Sequence, residues 1–138
     1  MTGPVEILVL TFPEPQVPAT VVEGVAELVD QGTITVLDLL FVAAQDDGDV
    51  RVVEIDEDLD RFGLARLTAR GDALLSADDL ETIRDGMPPG SSALVAVYEH
   101  TWARRVSAAV GEAGGEVALH VRIPAADVDA AYAAATVA

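Results

Sequence analysis

Residues 91–124, SSALVAVYEHTWARRVSAAVGEAGGEVALHVRIP, constrain the fold more than any other stretch of the chain. The apolar run from Ala93 to Tyr98 predicts a strand. Glu99, His100 and Thr101 form a polar corner, and a helix opens at Trp102. Gly114 and Gly115 stop that helix, and the alternation from Glu116 to Ile123 predicts a second strand. Residues 5–44 repeat this order. VEILVLTF (5–12) alternates with Val5, Ile7 and Val9 on one side of a strand. Pro18 opens a helix to about Asp30 that should bury Val21, Val25, Leu28 and Val29, and Gly32 ends it. Thr33 to Ala44 is apolar on both sides of the pleat, as in a central strand. Two strand–helix–strand units of this kind predict an α+β, ferredoxin-like fold: two βαβ units forming an antiparallel sheet with helices on one face.

The segment between the units adds elements to that plan. Asp46 to Asp49 supply a hairpin turn, with Gly48 able to take positive φ, and residues 50–55 return as an extra edge strand. Residues 56–90 read as a helical connector. Within it, Ser76 and Asp79 have capping-box spacing, which predicts a helix over Ala77 to Asp85. Pro124 opens a C-terminal helix over 125–138, with Tyr132 as its large apolar anchor. A chain of 138 residues is expected to make one domain of this sort. Its core must be aliphatic, because 51% of the residues are hydrophobic and only 4% aromatic. A ferredoxin-like sheet leaves one face bare of its own helices. The middle segment, the C-terminal helix or a second subunit must then cover it.

The formal net charge of −16 argues against binding a nucleic-acid backbone or an anionic lipid surface. The chain has no Cys, which removes disulfides and thiolate chemistry. No apolar run approaches the roughly 20 residues of a membrane span, and MTGPVEILVL has no secretory pattern, so a cytoplasmic protein is expected. All eight basic residues are Arg. Arg61, Arg66 and Arg70 cluster in the middle segment and are candidates, with Tyr132, for an interface with the acidic surface of another copy.

Three places can carry chemistry. Glu99 and His100 stand where a strand becomes a helix, so His100 is a candidate general base and Trp102 a candidate pocket wall. The structural alternative has Thr101 capping the helix and Trp102 packed on the core. Asp38 shares the alternation of Ile34, Val36, Leu40 and Val42, which would bury its carboxylate. It is then either an acid for proton transfer or ligand binding, or a structural group paired with Arg51 or Arg122. His120 reads as a strand residue facing solvent or a partner. The acidic residues Glu54, Asp56, Glu57, Asp58 and Asp60 lack the glycine of a calcium loop and read as a solvated face. No phosphate loop, dinucleotide glycine pattern, nucleophile elbow or HExxH sequence is present, so neither cofactor nor metal is expected.

GPVEILVLTFP (Gly3 to Pro13), TVLDLLFV (Thr35 to Val42), LLSADDLETI (Leu74 to Ile83) and YEHTWA (Tyr98 to Ala103) resemble a family of small actinobacterial proteins of unknown function. These look like short relatives of a larger bacterial domain-of-unknown-function family with a glycine-rich central insert. The resemblance implies a ferredoxin-like fold and a stress-related or regulatory role, beside small membrane-associated partners. This chain departs in lacking the insert, which argues against a membrane role. It also carries His100 where relatives often carry Asn, which weakens a catalytic reading of that side chain. The expectation is a non-enzymatic, homo-oligomeric protein acting through protein contacts. The alternative is a cofactor-free dimeric α+β-barrel enzyme or small-molecule binder with an apolar pocket under the sheet.

Overall fold

The computed structural model describes residues 2–47, 49–54 and 74–137. Arg61, Arg66 and Arg70, the turn glycine Gly48 and the acidic residues Asp56 to Asp60 lie outside the described residues. The chain divides into two compact units, Met1–Val106 and Ser107–Ala138. In the first, β1 (Val5–Phe12), β2 (Ile34–Ala44), β3 (Val50–Glu54) and β4 (Ser92–His100) form one sheet in the order β1-β4-β2-β3. Every neighbouring pair is antiparallel. α1 (Ala19–Asp30) connects β1 to β2, and α2 (Ala77–Asp85) precedes β4. α3 (Thr101–Glu112) starts in the first unit and ends in the second, which also holds α4 (Ala125–Val137). The protein is thus a mixed α+β structure.

The sheet differs from the ferredoxin-like expectation of two βαβ units. Its fourth strand is the edge strand β3; residues 116–123 take no regular structure and enter no ladder. Alternation is not enough to make a strand, because backbone N–H and C=O groups need a neighbouring strand. The described residues of the second unit form helices and no strand. Val117, Leu119, Val121 and Ile123 are accordingly exposed, and His120 is a solvent-facing residue outside any strand.

Helices also cover both faces of the sheet, not one. On the first face, Val22 and Ala26 of α1 pack with Val36, Leu39, Phe41 and Leu94. The buried stripe of α1 runs through these two residues, so Leu28 lies at its border and is 41% exposed. Gln31 and Gly32 close α1: Gly32 takes φ 72°, and Thr33 N–H reaches Leu28 O at 3.0 Å. On the second face, Leu80 and Ile83 of α2 pack with Leu40, Val42, Ala93 and Val95. Ser76 caps α2 through the reciprocal bonds its spacing predicts, donating from its N–H to the Asp79 carboxylate and accepting from Asp79 N–H.

A bulge in β2 decides which side chain faces which helix. The register against β4 shifts between Val36 and Asp38, so Leu37 is an extra residue on the β2 side. Val36 therefore faces α1, whereas Asp38, Leu40 and Val42 face α2. Simple alternation placed all four together, and the inserted residue is the reason they part. Along β1 there is no such break. Leu10 and Phe12 pack on the α1 side, while Val5, Ile7 and Val9 lie on the other face beyond the reach of α2.

Candidate functional site

The polar corner at the end of β4 separates its two titratable residues. Successive residues of a strand point to opposite faces, so Glu99 and His100 do not act together. Glu99 is buried and fastens four chain segments. Its Oε2 accepts from Gly3 N–H at 2.8 Å, and its Oε1 accepts from the Thr101 hydroxyl at 3.3 Å. Arg104 Nε lies 3.6 Å from the same Oε1. The Thr101 hydroxyl is itself 2.6 Å from that of Thr35. Gly3 is required here because a Cβ would come within 2.9 Å of the Arg104 Cβ and 3.0 Å of the His100 carbonyl oxygen.

His100 instead belongs to an array on the α1 face. Its Nε2 lies 3.1 Å from Glu6 Oε1, and Tyr98 donates its hydroxyl to Glu6 Oε2 at 2.8 Å. Trp102 Nε1 donates to His100 Nδ1 at 3.2 Å. That bond requires Nδ1 to be unprotonated, so Nε2 carries the proton and donates to Glu6. The Tyr98 and Trp102 rings stand edge-on to the imidazole, with centroids 5.4 Å and 6.1 Å away. Both nitrogens of His100 are therefore engaged. Trp102 does not pack into the core; it is 46% exposed.

This array closes one end of a cavity of about 280 Å3 between α1 and the sheet. Leu10, Val36, Leu39, Leu94 and Ala96 supply apolar wall, and Val25 and Leu28 supply the helix side. Tyr98, His100 and Trp102 are the polar end. Residue types alone singled out His100 and Trp102 but missed Glu6 and Tyr98. The signal for Glu6 was its parity: it is the even-numbered polar residue between Val5 and Ile7, on the same face as Leu8 and Leu10. Pairing with Tyr98 across the ladder brings it to His100, and that register is a long-range property.

Asp38 is buried on the opposite face, and its partners are backbone amides, not Arg51. Oδ1 accepts from Leu39 N–H at 2.9 Å; Oδ2 accepts from Leu74 N–H at 2.9 Å and Leu75 N–H at 3.3 Å. The carboxylate thus ties β2 to the chain entering α2. Tyr132 lies on α4 with 70% of its surface exposed. Among the described residues no group of three His, Cys, Asp or Glu side chains is placed to hold a metal ion, and no helix is long and apolar enough to cross a membrane.

No curated protein and no solved structure matches the chain. One family model matches it from residue 1 to residue 138, and the protein belongs to that family, a family of unknown function designated DUF6325.

Proposed function

We propose that this protein works by self-association and without catalysis, pairing the outer edge of β1 with the same edge of a second copy. The observation that carries this reading is the state of β1. Val5, Ile7 and Val9 are 43%, 56% and 42% exposed on a strand that, among the described residues, pairs with β4 alone. An exposed, apolar edge without Lys, Pro or a bulge is a template for another strand. VEILVLTF carries one charge, Glu6, which is turned to Tyr98 and His100 on the α1 side.

The backbone supplies the register. His100 N–H donates to Pro4 O at 2.8 Å, so even-numbered residues of β1 direct their N–H and C=O groups toward β4. Val5, Ile7, Val9 and Thr11 direct theirs outward. A second β1 running antiparallel about a twofold axis sets Ile7 opposite Val9 and Val5 opposite Thr11. All four residues then pair, and two four-stranded sheets become one. The chemistry of the candidate acids favours the same reading. His100 has both nitrogens engaged, and Asp38 already accepts from three amides. A regulatory role through protein contact fits such a molecule.

The charge of −16 opposes association, so the dimer should tighten as salt screens it. Analytical ultracentrifugation at low and high salt tests this. The expected result is a dimer strengthened by salt, and a monomer in Ile7→Lys whose own stability changes by no more than about 0.5 kcal/mol. A wild-type chain that sediments as a monomer at every salt concentration rejects the reading.

A further inference from the structure

We propose that the cavity between α1 and the sheet is a binding site for a small, neutral, largely apolar molecule carrying a single hydroxyl-type polar group. This goes beyond self-association, which concerns the opposite face and outer edge of β1. Three features of the cavity define its ligand. The walls are side chains of Leu, Val, Ile and Ala, and the polar groups gather at the one end formed by Thr33, Tyr98, His100 and Trp102. Water in such a space finds few hydrogen-bonding partners, so an apolar body that displaces it is favoured. A lone polar group on the ligand then has one place to go.

Charge narrows the class further. Glu6 stands behind the polar end, within 3.1 Å of both Tyr98 Oη and His100 Nε2, in a chain of net charge −16. A ligand carboxylate would meet that negative field at short range. No Asp or Glu lines the wall itself, so a buried cation would lack a partner. A neutral ligand avoids both costs. Size sets the last limit. At about 30 Å3 per heavy atom, as for a molecule of liquid water, the volume of about 280 Å3 holds about nine heavy atoms. Octan-1-ol has that many.

Trp102 is the only tryptophan of the chain and lines the cavity, so its emission reports occupancy directly. The probes are straight-chain alcohols from butanol to dodecanol, titrated into the full-length protein. The expected result is a saturable blue shift of Trp102, with affinity rising about fourfold per methylene up to octanol. Beyond one or two further carbons the gain should stop. Octanoate should produce no saturable shift over the range in which octanol saturates. Ala96→Phe, which places a ring in the cavity, should lose the octanol response while keeping its sheet signal in circular dichroism. Affinity that keeps climbing through dodecanol, or a response that survives in a folded Ala96→Phe protein, overturns the proposal. Should that variant not fold, the chain-length limit in the wild-type protein decides alone.

Discussion

β1 and β2 are apolar strands of one sheet that meet opposite conditions. β2 has a strand on each edge, α1 over one face and α2 over the other, and nine of its 11 residues are buried. Among the described residues β1 has one neighbouring strand, and none of its eight residues is fully buried. Their sequences, ITVLDLLFVAA and VEILVLTF, differ far less than their surroundings. Apolar alternation says that a strand has a buried face. It does not say what buries it, because cover comes from elements distant in the chain. Stability should therefore reside in β2, and β1 should be the adaptable side of the sheet.

The largest expected effect tests that division directly. Phe41 in β2 is wholly buried and sits in the α1-side cluster. Phe41→Ala should cost about 3–5 kcal/mol, read as the loss of unfolding free energy in a urea titration. Substitution of Ile7, the most exposed apolar residue of β1, should cost a small fraction of that. Equal losses at the two positions would erase the contrast between the strands.

Asp38 comes next, because it holds the cover on the second face of β2. Asp38→Ala leaves the N–H groups of Leu39, Leu74 and Leu75 without their acceptor. We expect a loss of about 2 kcal/mol, with faster hydrogen exchange at Leu74, Leu75 and the first turn of α2. Exchange that quickens uniformly through the sheet, and not first at α2, would deny Asp38 its anchoring role.

The same contrast explains which features could be read in the sequence. Local signals served well. The capping box at Ser76 and Asp79 placed α2, and Pro18 and Gly32 bracketed α1. What failed depended on distant partners. The alternation of residues 116–123 matches that of β1, yet this segment forms no strand. The bulge at Leu37 has no signature in its residue type, and it moved Asp38 away from the face of Val36. At the candidate site, His100 and Trp102 stand out as residue types. Glu6 joins them only through the register of β1 on β4, 94 residues further along. Adjacency in sequence pointed to Glu99 instead, which the pleat turns to the other side.

The smallest effect concerns the cap of the helix that covers β2. The N–H of Ser76 donates to the Asp79 carboxylate, and this bond, followed by the one to the Ser76 side chain, lowers the Asp79 pKa below its ordinary 3.8. A depressed folded-state pKa gives a stabilising contribution that is present above the unfolded value. It is lost as pH falls through the folded one. The Ser76 amide resonance should therefore shift with a midpoint below 3.8, and α2 should loosen as pH falls from 3.8 through that midpoint. Asp79→Asn keeps an acceptor but cannot ionise, so its Ser76 amide should not show this step. Ser76→Ala removes the hydroxyl half of the cap at about 1 kcal/mol, well under the cost at Phe41. If acid frees α2 while β2 stays protected, the second face of β2 is closed by a cover that can come off separately. If the two are lost together, that cover is part of the same cooperative unit as the strand.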